Sequence, residues 1–407
     1  MSGPGVNAPG GSGLRVVLCP DSFKESLTAP AVAAAMRRGM ARVWPAADFV
    51  EVPLADGGEG TVEALVRATG GELVTRRVRG PLGQPVDAAY GLVGDGRTAV
   101  VEIAAASGLH LVPPARRDPA RASTYGTGEL VVDALDHGAR HVVLGLGGSA
   151  TNDGGAGLLS ALGAHVLDAT GNPLPPGGAA LAGVAHLDLA GLHPGLSEVV
   201  VEAACDVDNP LLGQEGATAV FGPQKGVLAS DVQVLDHALA RWADVLARAS
   251  GEDRRDEPGA GAAGGVGLAV VSVLGGTLRP GFEVVAEAVG LRDLLAGADL
   301  VVTGEGRVDA QTVRGKAPAG VVALCGSLGV PVVVIGGALG PGFDDVVDAG
   351  AVAVFGCVAA PGDLPAVLAD AVGNLERTAS QVAATWEGGR RSSAREHAGC
   401  LIDPRPR

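Results

Sequence analysis

The sequence is short of aromatic rings, of charge and of cysteine. Aromatic residues make up 3% of its 407 positions and charged residues 18%. The five cysteines (Cys19, Cys205, Cys325, Cys357, Cys400) are scattered and odd in number, and none sits in a CxxC or other metal spacing. That excludes a disulfide framework and a zinc-type site, and it points to reduced thiols in a cytoplasmic protein. No apolar run reaches the length of a membrane span. Residues 1–13 are rich in glycine and proline and have neither a basic nor an apolar region, so they read as a loose leader and not as a signal peptide. Positive charge is also short: 30 basic residues face 45 acidic ones, a net charge of −15. This balance argues against nucleic acid as a partner and still allows a local cationic cleft for a small anion. Lysine is the scarcest cation, with only Lys24, Lys225 and Lys316. Each lies in a short polar motif, and a compact ammonium is not interchangeable with a guanidinium.

What is present is an α/β rhythm. A chain of this length, 47% hydrophobic, predicts two domains with large cores. Leu14–Cys19 reads as a strand, then a polar loop Pro20–Ser26, then a helix to about Val43 with a proline in its first turn. Asp48–Val52 is a second strand, followed by the loop Pro53–Gly60 and a helix at 61–68. From Gly70 three successive strands joined by glycine turns predict an antiparallel meander. The α/β rhythm returns at Leu300–Thr303, with a loop at 304–309, and runs to a last helix at about 364–385. The division expected is a discontinuous Rossmann/flavodoxin-like parallel-sheet domain of five strands, 14–70 plus 291–386, with a mixed α/β domain at 71–290 inserted in it. Residues 1–13 and 387–407 are expected to be flexible. In open α/β sheets ligands bind at the carboxyl ends of strands, and the strand-end loops here are expected to converge on one crevice.

The most informative stretch runs from His141 to Gly157. An apolar strand breaks into Gly147-Gly148-Ser149-Ala150-Thr151-Asn152-Asp153-Gly154-Gly155 and then resumes as a helix. Glycines that turn backbone N–H groups inward, next to a helix start, suit an anion. Eight carboxylates follow predicted strands in similar loops: Asp21, Asp56, Glu59, Asp153, Asp206, Asp208, Glu305 and Asp309. Single acids of this kind also serve turns. Eight of them suit Mg²⁺ and a base for phosphoryl transfer from ATP.

Several chemistries are excluded. Neither Gly226 after Lys225 nor Ala317 after Lys316 supplies the Ser/Thr of a Walker A loop. There is no protein-kinase signature set and no GxSxG elbow. The eight histidines are isolated, which leaves neither a Ser-His-Asp triad nor a zinc site. Two alternatives stay open on the residues alone. Gly145–Ala150 fits a GxGxxA fingerprint with Asp168 ending the next strand, as in an NAD-dependent hydroxy-acid dehydrogenase. A non-catalytic organic-acid-binding protein would explain the lysines and glycines and would leave the surplus acids without a role.

Taken together, these motifs resemble the bacterial glycerate kinases of the first family. The matching stretches are Pro20–Ser26, Ala55–Thr61, Ala104–Leu109, Gly126–Leu130, Gly147–Thr151 with Asp153–Gly155, Ala204–Leu211, Phe221–Gly226, Gly261–Gly265, Thr303–Asp309 and Gly315–Pro318. They cover residues 14–385 in order. The resemblance implies ATP-dependent, Mg²⁺-assisted phosphorylation of D-glycerate, usually at the 2-hydroxyl to give 2-phosphoglycerate, with 3-phosphoglycerate as the alternative product. On that reading Asp56 is the expected base, with Glu305 as the alternate, and Lys24 or Arg307 meets the substrate carboxylate. Lys316, Lys225 and the amides of Gly147, Gly148 and Ser149 meet the phosphoryl oxygens. Asp153 with Asp206 or Asp208 holds Mg²⁺. Ser22, Ser107, Thr127, Thr151, Gly264 and Gly265 complete the expected substrate and phosphate contacts. The partners are then D-glycerate and ATP, with no nucleic acid and no membrane. The oligomeric state stays open, a homodimer being one option.

Overall fold

The computed structural model describes residues 13–23, 26–54, 60–94, 96–313, 315–358 and 363–399, with side chains to 392. Its strands, in chain order, are β1 (Arg15–Leu18), β2 (Asp48–Glu51), β3 (Glu72–Arg79), β4 (Pro85–Val93), β5 (Thr98–Glu102), β6 (His141–Gly145), β7 (His165–Leu167), β8 (His186–Asp188), β9 (Val200–Ala204), β10 (Thr277–Arg279), β11 (Leu300–Val308), β12 (Val332–Leu339) and β13 (Ala353–Gly356). The chain divides into two compact units, Met1–Pro53 with Leu291–Arg407, and Leu54–Gly290.

The discontinuous unit is built on a five-stranded sheet in the order β13-β12-β11-β1-β2, parallel throughout. Numbered within this unit alone, the order is 2-1-3-4-5, the flavodoxin-like doubly wound arrangement. The central strands are runs of Val, Leu and Ile because both of their faces are covered. Val16, Leu18, Leu300, Val302, Val333 and Ile335 share one core with Met36 and Met40 of the helix Ala29–Ala41 and with Leu375 and Val382 of the helix Ala371–Gly399. These two helices approach closely at Gly39, where a Cβ would lie 2.3 Å from the Glu376 carbonyl oxygen. Arg38 and Arg42 then pair with the Glu376 carboxylate.

Two boundaries in this unit differ from the sequence reading. Strand β11 does not stop at Thr303. It continues through Glu305 and Arg307 to Val308, paired with β12 as far as Leu339. Glycines permit this, since a Cβ on Gly304 would lie 2.0 Å from the Ile335 carbonyl oxygen. The expected flexible segment from 387 begins inside a helix that runs to Gly399. An Arg391–Glu387 ion pair at i,i+4 supports that continuation.

The inserted unit has a six-stranded mixed sheet in the order β10-β9-β6-β5-β4-β3 and a separate β7–β8 ribbon. β3, β4 and β5 form the expected antiparallel meander; β5, β6, β9 and β10 are parallel. The short strands β8 and β10 were not foreseen; at three residues each they carry almost no alternation to read. The helix Thr61–Thr69 also belongs to this unit, and not to the segment 14–70 where its rhythm placed it. It packs on β4, where Gly91 leaves room for Val62 and Val66.

The core of the inserted unit centres on Trp242 of the helix Val232–Ser250, which is completely buried. Its indole N–H donates to the Gly154 carbonyl at 2.8 Å. Gly154 itself has φ of +61°, and a Cβ there would lie 2.2 Å from the indole ring. The Trp242→Ala variant is expected to lower the unfolding free energy by about 3–5 kcal/mol, the usual cost of truncating a buried aromatic. Urea unfolding followed by circular dichroism checks it.

Candidate active site

In the discontinuous unit the strand order reverses between β1 and β11, and the loop that leaves the carboxyl end of β1 runs along the middle of β11. The Asp21 N–H donates to the Gly304 carbonyl at 2.9 Å, which ties the loop after β1 to β11. Thr303 reinforces the tie by donating its hydroxyl to the Cys19 carbonyl at 2.8 Å. Asp21 is buried, and its carboxylate accepts from the Ser22 N–H at 2.5 Å.

Glu305 extends from the far half of β11 and is 8% exposed. One of its oxygens accepts from the buried Thr312 hydroxyl at 2.6 Å, and the other from Lys316 Nζ at 2.9 Å. Lys316 is the N-cap residue of the helix Ala317–Leu328, so an ammonium and the positive end of a helix dipole sit together. Arg307 is exposed and pairs with Asp309 at 3.0 Å. Asp309 also accepts from the Gln311 N–H, as in an Asx-turn.

In the inserted unit the residues gather around the loop between β6 and the helix Ala156–Ala161. Gly147 and Gly148 are exposed, while Ser149, Thr151, Asn152 and Asp153 are buried. The loop is laced to the segment that follows β5. Leu109 N–H donates to the Gly148 carbonyl at 2.8 Å, and Ala150 N–H to the Ser107 carbonyl at 2.9 Å. Ser107 and Thr127, both buried, share a hydroxyl–hydroxyl hydrogen bond of 2.7 Å. Lys225 ends the helix Ala217–Lys225 and is 3% exposed. Its Nζ donates to Ser149 Oγ at 2.9 Å and to the Thr151 carbonyl at 2.7 Å. Burial lowers this ammonium to about 7, with Asp153 acting in the opposite direction.

A model of the glycerate kinase family matches residues 16–387. The chain is 49% identical to the glycerate kinase of Bacillus subtilis (strain 168) over 91% of its own length and 97% of that protein. It is 45% identical to the glycerate 2-kinase of Escherichia coli (strain K12), over 93% of this chain and all of that one. A crystal structure from Salmonella typhimurium LT2 superposes with a TM-score of 0.86 at 49% identity, covering 93% of this chain and 100% of the other. The chain belongs to the glycerate kinase family.

For this glycerate kinase family member the site residues expected from sequence fall into two groups, one per unit. Ser22 lies in the loop after β1, Glu305 and Arg307 in the second half of β11, and Lys316 at the start of the helix that follows it. Ser107, Thr127, Gly147, Gly148, Ser149, Thr151 and Lys225 surround the loop after β6. Lys24, Asp56 and Glu59 lie outside the described residues.

Three expectations are corrected. Asp153 does not offer its carboxylate to a metal. It accepts from the Thr124 N–H at 2.8 Å, from the Thr124 hydroxyl, and from the N–H groups of Gly155 and Gly157. It is 1% exposed, and burial pushes its carboxyl up against those hydrogen bonds. Asp206 and Asp208 are exposed, and Asp206 accepts from the Gly281 N–H at 2.8 Å. Among the described residues no group of three or more His, Cys, Asp or Glu side chains could hold a metal ion. Asp153 is therefore spent on the loop and does not join Asp206 and Asp208 in a three-carboxylate group.

Gly264 and Gly265 are buried packing positions. Both have positive φ, and a Cβ on Gly264 would lie 2.1 Å from the Thr151 carbonyl oxygen. They let the segment at 263–265 press against the loop backbone. The dinucleotide reading of Gly145–Ala150 also fails. A Rossmann unit would carry the chain from β6 through a helix into a parallel neighbour. Here β7 lies in a separate antiparallel ribbon, and Asp168 is turned into its own turn, accepting from Thr170 and Asn172.

Three residues were missed. Thr124 and Thr312 are the buried hydroxyls that hold Asp153 and Glu305. Glu102 ends β5 and accepts from the Val62 N–H at the start of the helix Thr61–Thr69, at 2.8 Å. A single acid inside the apolar run Val100–Ala106 was the available signal for it. The Thr124→Val variant is expected to cost about 1–3 kcal/mol, because it leaves a buried carboxylate short of a donor. The outcome is read as a loss of thermal stability that exceeds that of Thr127→Val.

Proposed function

We propose that this chain transfers the γ-phosphoryl group of ATP to D-glycerate, with 2-phosphoglycerate as product. The observation that carries the reading is membership of the glycerate kinase family across nearly the whole chain, including 45% identity to a relative named glycerate 2-kinase. The chemistry of the two groups agrees with it. Phosphoryl transfer needs positioned cations and amides around charged oxygens, together with a carboxylate that accepts a hydroxyl proton.

Glycerate presents a carboxylate and two hydroxyls. We assign the base that takes the proton of the attacking hydroxyl to Asp56. Glu305 is the weaker choice, because both of its oxygens already accept hydrogen bonds, from Thr312 and Lys316. Its role is to hold the Lys316 ammonium at the head of its helix, aimed at phosphate oxygens. Lys24 is assigned to the substrate carboxylate. Arg307 is less suited to it, since Asp309 already takes its guanidinium. In the inserted unit the exposed amides of Gly147 and Gly148 offer donors to an anion. Mg²⁺ enters as part of the nucleotide substrate, held by phosphate oxygens and water.

Cys19, Cys205, Cys325 and Cys357 are free thiols, and no described helix is long and apolar enough to cross a membrane. We place the enzyme in the cytoplasm on the thiols.

The test is ³¹P NMR of ATP, Mg²⁺ and D-glycerate with the purified chain. A 2-phosphoglycerate resonance is expected; a 3-phosphoglycerate resonance overturns the regiochemistry, and no phosphoglycerate at all overturns the activity. The Asp56→Asn and Lys24→Ala variants are each expected to lose at least about a hundredfold in kcat while staying folded, the scale of general acid–base catalysis. Near-normal turnover in either removes that residue from the chemistry.

A further inference from the structure

Lys225 is an unusual use of the rarest cation in the chain. Its stem and head are enclosed by the helix it ends and by the loop after β6. An ammonium has three N–H donors. Two are spent on loop oxygens, Ser149 Oγ at 2.9 Å and the Thr151 carbonyl at 2.7 Å. These two contacts stand on either side of Ala150, so the group sets the course of the backbone that leads out of Gly147 and Gly148. The free amine, with two N–H donors, satisfies the same two oxygens. The ammonium carries one more donor and a full charge into a place that water scarcely reaches.

Among the described residues the charged surroundings are few, and Arg117 is one of them: its guanidinium donates to the Gln224 carbonyl at 2.9 Å, at the end of the Lys225 helix. The helix Val232–Ser250 packs on the Lys225 helix and carries Asp236, His237, Arg241, Asp244 and Arg248, while the helix Ala262–Ser272 packs on it with no titratable group. Among the described residues only Asp153 acts on the ammonium by charge, and its carboxylate is already shared among Thr124, Gly155 and Gly157. Among the described residues the proton on Lys225 therefore has no dedicated counter-charge. An anion resting on the Gly147–Ser149 backbone would supply one through the loop, without touching the lysine.

We propose that Lys225 is a positioning residue that pins the Ser149–Thr151 loop, and that an anionic substrate group bound at Gly147–Ser149 is accompanied by uptake of a proton at Lys225 Nζ. This rests on the kinase reading for the identity of the anion, a phosphate of the nucleotide or the carboxylate of glycerate. The balance is simple: one proton leaves solvent or buffer and is held on Nζ while the ligand is bound, and it returns on release. Burial sets the free-enzyme group near neutrality, so the uptake falls in the working range of a cytoplasmic enzyme. Above the free-enzyme midpoint, binding draws the proton. Well below it Lys225 is already charged and nothing is taken up.

The scarcity of lysine makes the test direct. Full-length protein labelled with ε-¹³C-lysine gives three resonances, from Lys24, Lys225 and Lys316. The Lys225 signal is assigned by its loss in Lys225→Met, or by elimination in Lys24→Arg and Lys316→Arg if the first variant does not fold. Titrated without ligand, this signal is expected to turn over near neutral pH. At saturating ADP or saturating D-glycerate its midpoint is expected to rise by about one unit or more. Calorimetry of the same ligand at pH 8 in two buffers of unlike ionisation enthalpy is expected to show proton uptake in the native chain and none in Lys225→Met. A midpoint in the ordinary lysine range, or one that stays put while either ligand saturates the protein, overturns the coupling. Absence of binding by both ligands overturns the kinase reading, which the phosphorus spectrum tests separately.

Discussion

The buried carboxylate of Asp153 is the interaction on which the inserted unit depends. Parallel strands end in backbone groups that the sheet no longer satisfies, and a glycine loop adds more. Asp153 collects the Thr124 N–H and hydroxyl together with the N–H groups of Gly155 and Gly157. In doing so it fixes the starts of two helices, Tyr125–Asp136 and Ala156–Ala161. Thr124 Oγ in turn accepts from the Leu158 N–H at 2.9 Å. A carboxyl group this deep is tolerated because its acceptor capacity is filled, and removing a donor leaves a buried oxygen unsatisfied. Once this brace is in place, Gly154 can present its carbonyl to Trp242, and the loop has one course.

The discontinuous unit solves a related problem with topology. A doubly wound sheet in the order 2-1-3-4-5 sends its connections in opposite directions from β1 and β11, which opens a crevice at their ends. The chain fills that place with the loop after β1 and with the Glu305, Thr312 and Lys316 triad. The triad works because each member lacks something that another supplies. Thr312 is fully buried and gives its proton to Glu305, Glu305 needs donors, and Lys316 needs a fixed direction. The result is a cation whose position is set by β11 and whose helix adds partial positive charge along the same line.

Much of this was legible in the sequence. Strands of Val, Leu and Ile bounded by Gly and Pro gave their positions because buried parallel strands have few other ways to be written. The polar loops after them were visible for the same reason. What was not legible is the direction in which each acid faces. Asp153 looked like Asp206 and Asp208 in the chain, all of them acids in small-residue loops. Only packing decides that the first is sealed under Thr124 while the others meet solvent. The extra length of β11 was hidden because Gly304 and Gly306 signal a loop in one dimension, whereas in the sheet Gly304 on β11 and Gly337 on β12 let the two strands lie flush. The glycines at 264 and 265 misled in the opposite way: a cradle for ligand phosphate and a bed for another backbone use the same residue for the same lack of a Cβ.

The choice of lysine over arginine at position 225 is the last constraint the fold imposes. A guanidinium brings five donors in a rigid plane and keeps its charge at every accessible pH. Buried against Ser149 and Thr151, which accept two hydrogen bonds, it would leave the other three donors without partners and a charge that could not be shed. An ammonium on a flexible stem leaves one donor over, and the group can release that proton. A chain that otherwise favours arginine thus keeps lysine at 225, where the cation is enclosed. Exposed pairs such as Arg307 with Asp309 bear no such restriction. At position 225 the choice follows from desolvation, and it sets this buried lysine apart from the arginines that pair at the surface.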